Sequence, residues 1–240
     1  MDLSIEHVLQ GAAARAEGAG STVDRVYEHL RNRIVNFDLP PDVTLSRNDL
    51  AREYGVSQTP VREALQRLDE DGLICIFPQS KTVVARIDER QLNETHFMRI
   101  AIETEVVRRV ASQDNADTVK RARSLVRLQE TLVGDASQVE LFNDIDRAFH
   151  GTLFEAVGMV SLHRMLARRL GHLSRCQRLE LPREGKMSEI VHGHIAVVEG
   201  VASGNPDLAA AAMRGHLGAT IRRIATLRDE FPDYFVARAG

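Results

Sequence analysis

The stretch LSRNDLAREYGVSQTPVREALQRLDEDGLI, residues 45–74, decides the fold of the first part of the chain. Its apolar residues follow helical spacing twice, first at Leu50, Ala51 and Tyr54 and then at Val61, Ala64, Leu65 and Leu68. Gly55 can adopt the left-handed conformation that a tight turn needs, and Ser57 is placed to cap the second helix. Two short helices joined by such a turn are typical of a helix-turn-helix, although a helical hairpin inside a core has the same pattern.

The segments on either side of this stretch favour a winged helix-turn-helix over a plain hairpin. Upstream, a capping signal at Ser21-Thr22 precedes an amphipathic helix, which ends before Leu39-Pro40-Pro41. Downstream, residues 73–77 and 82–87 are strand candidates, and the turn residues 78–81 between them predict a β-hairpin. Three helices followed by a hairpin wing are the elements of a DNA-binding module.

The rest of the chain is predicted to be helical. We expect about six helices between residues 89 and 230, with a clear joint at Gly204-Asn205-Pro206, because Gly ends helices and Pro is tolerated in a first turn. The predicted fold class is therefore mainly α, a winged helix-turn-helix followed by an all-α domain. The predicted segments are a flexible arm rich in Gly and Ala at residues 1–20, the winged module at 21–88, the helical domain at 89–232 and a tail at 233–240.

The composition sets the class of protein. The chain has 240 residues, of which 43% are hydrophobic and 27% charged, as in ordinary soluble globular proteins. Its two cysteines, Cys75 and Cys176, are far apart, which excludes a disulfide scaffold or a cysteine-based zinc site and favours the cytoplasm. No apolar stretch approaches the roughly 18 residues that a membrane span needs, so we expect no membrane association.

The charge of the chain bears on nucleic-acid binding. The formal net charge is −3, and residues 22–87 carry nine Lys and Arg against ten Asp and Glu. Taken as a whole, the chain lacks the basic character that is common among nucleic-acid binders. If the winged module binds DNA, a few aligned contacts must supply specificity, and non-specific affinity should be modest with a shallow dependence on salt.

One histidine spacing indicates a metal site. Asp146 and His150 lie four residues apart in a predicted helix, and side chains at this spacing share one face and suit a single metal ion. A solvated Asp–His pair has the same spacing, so the pattern alone leaves both interpretations open. In a later helix His194 lies beside the apolar stripe, whereas His192, two residues earlier, points away from it.

A wider run of residues in the first part of the chain resembles a known family. The pattern Leu50-Ala51-x-x-Tyr54-Gly55-Val56-Ser57-x-Thr59-Pro60-Val61-Arg62-Glu63-Ala64-Leu65, followed by Leu68 and Gly72-Leu73-Ile74, resembles the winged-helix domain of GntR-family transcription regulators. The resemblance covers roughly residues 22–87. It implies that Arg62 contacts operator phosphate or base, that Gln58 and Thr59 enter the major groove, and that the wing approaches the minor groove.

This resemblance and the pattern together identify nine candidate DNA-binding residues: Arg47, Asn48, Ser57, Gln58, Thr59, Arg62, Ser80, Lys81 and Thr82. Two of them depart from the family pattern. Members commonly have Arg where Gln58 stands, and because Gln prefers adenine to guanine, we expect a different operator. Members commonly have Gly at the wing tip where Lys81 stands, so Lys81 adds a cation but loses a residue that tolerates a tight turn.

Residues 90–230 look like the FCD ligand-binding domain of the FadR subfamily, an antiparallel helical bundle that dimerises. The motifs are Arg99 with Glu103, Asp146 with Phe149-His150, His194 followed by Gly204-Asn205, and residues 211–217 around His216. Members with an Asp or Asn and three His at these places resemble metal-binding sensors. The resemblance therefore implies four ligands, Asp146, His150, His194 and His216, for a divalent ion, with zinc or nickel preferred and manganese or iron possible.

An effector-binding role follows from the same resemblance. Arg99 would clamp a small carboxylate whose other oxygen binds the metal, although a surface ion pair between Arg99 and Glu103 explains the same spacing. Arg175 and Arg178 are weaker candidates for the same pocket. The acyl-CoA-binding member of the subfamily lacks this histidine set, so we do not expect an acyl-CoA ligand.

The sequence therefore predicts a DNA-binding transcription regulator, most simply a repressor, rather than an enzyme. It would bind a pseudo-palindromic operator as a homodimer formed through the C-terminal domain, and a small organic carboxylate at the metal would control its affinity. One alternative is a sensor of the metal ion itself. The other is a metallohydrolase, which is disfavoured because no helix carries the HExxH pattern that supplies a general base.

Overall fold

The computed structural model describes residues 20–237. The chain forms two compact units, and the boundary between them along the sequence lies between Arg86 and Ile87. This division lies two residues before the predicted boundary at residue 88. Except for Gly20, the predicted N-terminal arm lies outside the described residues.

The first unit contains three helices and a two-stranded hairpin, as predicted: α1 Thr22–Val35, α2 Arg47–Tyr54, α3 Gln58–Glu70, β1 Ile74–Ile76 and β2 Thr82–Val84. The predicted capping signal is present, since the Ser21 side chain accepts from the Asp24 backbone and the Asp24 side chain accepts from the Ser21 backbone. Gly55 ends α2 with φ +62°. Ser57 occupies the N-cap of α3, but its side chain makes no capping hydrogen bond, which corrects the expected role of that hydroxyl.

The wing is shorter than the sequence pattern predicted. β1 and β2 are antiparallel, with Ile74 opposite Val84 and Ile76 opposite Thr82. In the turn between them the left-handed residue is Gln79, with φ +56°. Lys81 therefore does not occupy a position that requires Gly, contrary to the expectation.

The core of the first unit fixes the crossing of its helices. Apolar side chains of all three helices and of the wing form one buried cluster. Its fully buried members include Leu30, Ile34, Val61, Leu65, Leu68 and Leu73. These side chains lie on the inward faces of the helices. The polar residues in the first turns of α2 and α3 lie on the opposite faces and are exposed.

The second unit contains eight α-helices among its described residues, where about six helices were expected, and two 3-10 helices, Ala136–Gln138 and Pro232–Tyr234. The α-helices are α4 Glu89–Ala111, α5 Ala116–Leu132, α6 Val139–Ala156, α7 Val160–Arg169, α8 Gly171–Glu180, α9 Lys186–Ala202, α10 Pro206–Ile221 and α11 Ile224–Glu230. Two short breaks, at Leu170 and at Arg222-Arg223, account for the difference, and neither contains a proline. Within residues 20–237 no helix has the length and apolar content needed to cross a membrane.

Packing in the second unit places α10 against both α4 and α9, while α5 packs against α6 and α9. Only three residues, Ser203 to Asn205, join α9 to α10, so these packed helices run antiparallel. A Cβ at Gly200 would lie 2.9 Å from the Cα of Ala209, so this glycine allows the close approach of α9 and α10.

The packed part of the second unit extends beyond the predicted end at residue 232. Phe235, assigned to the tail, pairs with Ile87 in a parallel bridge. Both side chains are buried. The predicted tail boundary is therefore corrected for this residue.

Candidate functional site

The structure brings the four predicted metal ligands together from three helices. α6 carries Asp146 and His150, α9 carries His194, and α10 carries His216. Ligand nitrogens of the three histidines lie within 4.8 Å of one another, and Nε2 of His194 lies 3.4 Å from Oδ1 of Asp146. Residues separated by up to 70 positions thus form one cluster, which we call the histidine cluster.

Glu103 and Arg99 of α4 orient His150. Nδ1 of His150 lies 2.6 Å from Oε2 of Glu103, and Nε of Arg99 donates to Oε1 of the same carboxylate at 2.6 Å. Nη2 of Arg99 also lies 3.3 Å from Nε2 of His150. Because Arg can only donate, the Arg99 contact favours the His150 tautomer that has its lone pair on Nε2 and its proton on Nδ1, beside the Glu103 carboxylate.

The Arg99–Glu103 pair is therefore buried, in contrast to the surface ion pair considered from the sequence. The two side chains are 7% and 3% exposed. Burial alone would raise the pKa of Glu103, but the Arg99 guanidinium and the His150 ring reverse this effect and hold the pKa below its ordinary value. Glu103 is thus a carboxylate that compensates the buried Arg99 charge.

Gln129 of α5 orients His194 in the same way. The Gln129 side-chain amide donates to the carbonyl of Phe142 at 3.5 Å, so its own oxygen, 2.6 Å from Nδ1 of His194, faces the ring. Nδ1 therefore donates, and Nε2 carries a lone pair that has no hydrogen-bond partner among residues 20–237. The ring is fully buried and stacks on Phe149, with centroids 3.9 Å apart.

The protonation states of the cluster suit metal binding. Burial lowers the pKa of His194 and, aided by the neighbouring His194 and His150, lowers that of His216 further, so both rings are neutral. Metal ligands must be deprotonated in this way.

The donor set fits a divalent ion. Nε2 of His216 and Nε2 of His150 are 3.3 Å apart, and the unpartnered Nε2 of His194 lies beside the Asp146 carboxylate. A hydrogen bond between His216 and His150 would still leave Nε2 of His194 without a partner among the described residues. Burying an unpaired polar atom costs folding free energy. A cation bound by three imidazoles and one carboxylate satisfies all four groups.

A cavity of about 290 Å³ lies beside the histidine cluster. It is lined by Asp146, His150 and His216 of the cluster and by Arg99, and it extends to Gln177, Glu189 and Arg222. Nη1 of Arg99 makes no hydrogen bond among the described residues, so this predicted effector anchor retains donors for a ligand.

The other two effector candidates need correction. Arg175 and Arg178, on α8, are not among the described residues that line this cavity. Arg175 is completely buried, and burial lowers its pKa to about 10. The expectation that these arginines share a pocket with Arg99 is therefore not met.

Three residues of the site were missed by sequence reasoning. The sequence indicates Glu103 only as a partner of Arg99, in the FCD motif or in an ion pair, and Gln129 carries no signal because its role depends on a contact 65 positions away. Gly193 is the third, since a Cβ there would lie 2.6 Å from Nδ1 of His216. This glycine makes room for the His216 ring.

We predict that Gly193→Ala weakens metal binding about tenfold or more, because the new methyl group displaces the His216 ring. Gly218→Ala in α10 is the matched control, since its Cβ would meet Arg222 at an ordinary 3.6 Å. Both substitutions raise helix propensity by about 0.5–1 kcal/mol, so only the clash differs. Titration with zinc and a competing chelator measures the effect, and equal affinities for the two variants would show that the His216 position is not critical.

The predicted DNA-binding residues of α2 and α3 form one exposed patch. Arg47, Asn48, Gln58, Thr59 and Arg62 are all exposed. Nε2 of Gln58 donates to Oδ1 of Asn48 at 2.6 Å, which joins the first turns of the two helices. The patch presents both a charged group and amide groups of the kinds that read phosphates and base edges.

The placement of cations in the first unit is compatible with DNA binding, although the net charge of the unit is slightly negative. Four arginines form ion pairs with carboxylates: Arg33 with Glu53, Arg52 with Asp49, Arg67 with Asp24, and Arg86 with Asp42. Within residues 20–237, Arg47, Arg62 and Lys81 form no ion pair. The cations on the predicted DNA-facing side are therefore available to phosphate.

The wing tip offers two of the three predicted contacts. Ser80 and Lys81 are exposed, and Nζ of Lys81 lies 5.8 Å from the centroid of the Phe77 ring. Thr82 is only 5% exposed because it lies on the same inward face of β2 as Val84. Its side chain does not lie at the surface of the wing, which corrects the expectation for this residue.

Comparison with known proteins agrees with this architecture. Residues 22–84 match the model of the family described as bacterial regulatory proteins, gntR family, and residues 94–219 match the FCD domain. The two matched segments fall in the first and second units respectively.

Individual proteins are similar over most or half of the chain. An uncharacterized HTH-type transcriptional regulator in an unstable DNA locus of Streptomyces ambofaciens is 32% identical over 218 residues, 90% of each chain. The gluconate operon transcriptional repressor of Bacillus subtilis (strain 168) is 31% identical over 137 residues, 57% of this chain and 56% of the repressor. The structure of Escherichia coli McbR/YncC superposes with a TM-score of 0.71 at 19% identity, covering 89% of this chain and 100% of McbR/YncC, and so shares the fold.

Proposed function

Because the chain belongs to the GntR family of bacterial transcription regulators and carries an FCD domain, we propose that a small carboxylate effector controls its affinity for operator DNA. The effector would bind at a divalent metal ion held by Asp146, His150, His194 and His216. The observation that carries this proposal is the buried, unpartnered Nε2 of His194 beside the Asp146 carboxylate.

The donor set supports zinc or nickel first, with manganese or iron as alternatives, because neutral imidazoles and one carboxylate bind borderline first-row ions. When bound, the ion supplies positive charge and open coordination positions for a carboxylate oxygen. Glu103 and Gln129 hold the histidine rings in the required tautomers. Arg99 lines the cavity with free donors on Nη1 and would clamp the carboxylate.

Operator binding would use the exposed patch of α2 and α3 and the tip of the wing. We propose a homodimer formed through the second unit, so that two recognition helices meet the half-sites of a pseudo-palindromic operator. The similarity to a gluconate operon repressor supports a repressor. Binding to chromosomal DNA would take place in the cytoplasm.

A competing function is that of a metal-ion sensor, which the same ligand set supports. The family rules out the metallohydrolase, since its members are regulators. Chelation separates the two sensors. An ion sensor loses operator binding reversibly over a physiological range of free metal, whereas an acid sensor keeps its ion and responds to added carboxylate.

The test uses the full chain with cobalt as a spectroscopic substitute for the native ion. Visible absorption from bound Co²⁺ that shifts when a carboxylate is added supports a shared site. A carboxylate that raises Tm equally before and after chelation would contradict the proposal, as would the absence of Co²⁺ binding.

We predict a shallow salt dependence of operator binding, with a slope of log K against log salt no steeper than about −5 for a dimer. Three unpaired cations on the predicted DNA-facing side of each protomer, Arg47, Arg62 and Lys81, each releasing about 0.9 counterion, give this value. Arg62→Ala should reduce the slope by about 2, one phosphate contact in each protomer. Arg67→Ala, on the same helix but paired with Asp24, should leave it unchanged. A slope near −10 in a fluorescence anisotropy titration would mean many more phosphate contacts and contradict this account.

A further inference from the structure

The cavity beside the histidine cluster has a second charged end. Arg222 follows α10 directly, six residues after His216, and lines the cavity with its guanidinium beside Gly218. On the antiparallel α9, Glu189 lies five residues before His194, or about 7.5 Å away. Nη2 of Arg222 and Oε1 of Glu189 lie 3.8 Å apart, so both residues stand at the same end, away from the cluster.

Arg222 is the cation at this end that can receive a ligand. Glu189 is already held by the buried Lys186, whose Nζ lies 3.0 Å from its Oε2. The contact between Arg222 and Glu189 is longer, and Arg222 has no other ion-pair or hydrogen-bond partner among residues 20–237. Its side chain is 67% exposed, as expected for a residue at a cavity mouth.

The cavity wall between the two ends offers few hydrogen-bonding groups. Most side chains there are small or apolar: Gly193, Ala196, Ala212, Gly215 and Leu217. Apart from the histidines of the cluster, Gln177 is the one uncharged polar side chain among the described residues of the lining. A polyhydroxylated acid would leave most of its hydroxyl groups without partners, and such losses reduce affinity strongly.

We propose that the effector is an unbranched, sparsely hydroxylated dicarboxylate, with one carboxylate at the metal and Arg99 and the other at Arg222. This inference rests on the proposed function, and it adds Arg222 as a residue that determines specificity. A volume of about 290 Å³, at about 30 Å³ for each water-sized group, accommodates about ten non-hydrogen atoms. Dicarboxylates of about four to six carbons have this size.

The experiment measures binding of succinate, glutarate and adipate to the zinc-loaded full chain by calorimetry, against butyrate, valerate, hexanoate and gluconate. At least one dicarboxylate should bind about tenfold more tightly than its monocarboxylate of equal length and than gluconate. Arg222→Gln should remove this preference while leaving monocarboxylate affinity and zinc content unchanged. Arg214→Gln, at an exposed arginine of α10, should retain it.

The outcomes separate the two proposals. If monocarboxylates or gluconate bind as tightly as every dicarboxylate, or if Arg222→Gln keeps the preference, the dicarboxylate assignment is wrong while the metal-bound carboxylate stands. If no acid binds the zinc-loaded protein, or if zinc is not retained, the proposed function itself fails and the assignment fails with it.

Discussion

His194→Ala is expected to abolish specific metal binding, lowering the content from about one ion per chain to near zero and the affinity by more than 100-fold. The reason is geometric. His194 is completely buried, its Nδ1 is held by Gln129, and its free Nε2 lies beside Asp146. No other histidine of the described chain can replace this nitrogen, because those outside the cluster of His150, His194 and His216 do not join its ligand atoms.

His192→Ala is the matched control for this substitution. It lies on the same helix two residues earlier, and its side chain is exposed. Metal content by atomic emission after dialysis, together with competition against a chelator, should separate the two variants. Equal metal content in both would show that the cluster does not hold the ion.

Glu103→Gln is expected to destabilise the chelator-treated protein by about 3–5 kcal/mol and to weaken metal binding by about 10- to 100-fold. Gln keeps the size of the side chain but removes the charge that compensates Arg99, and both side chains are almost completely buried. It also weakens the acceptor for Nδ1 of His150, so the ring is less firmly held in the tautomer that binds metal.

The chain contains a control for this effect on the same helix. Glu105 and Arg109 form an ion pair with the same spacing, but their side chains are 53% and 54% exposed. Glu105→Gln should therefore change the free energy of unfolding by no more than about 0.5 kcal/mol. If urea unfolding shows similarly small losses of unfolding free energy for both variants, the buried contacts among Arg99, Glu103 and His150 do not stabilise the protein as proposed.

The first unit was largely predictable because its signals are local. The spacing of Leu50, Val61 and Leu68, the turn at Gly55 and the capping box at Ser21 each act within a few residues, and the structure contains the elements they predict. The predictions that were wrong in this unit concern the burial and hydrogen bonding of single side chains. Thr82 lies at the wing in the sequence, but its side chain is buried on the same face of β2 as Val84.

In the second unit, the spacing of residues along the sequence predicted only part of the site. It placed Asp146 and His150 on one face and His194 near the apolar stripe, whereas the inclusion of His216 depended on family resemblance. The structure brings all four together. Glu103 and Gln129 act on the histidines across 47 and 65 positions, and such pairs follow from helix packing that has no local signature.

Control of DNA affinity by a carboxylate at the metal can be measured directly as the coupling between effector binding and operator binding. DNA fragments retained by the full chain from a random pool supply the operator, and fluorescence anisotropy gives its affinity with and without succinate, glutarate or adipate. We predict a change of about fivefold or more in zinc-loaded protein, absent after chelation and in His194→Ala. An equal change in the chelated protein, or none in the zinc-loaded protein with any carboxylate, would contradict the account.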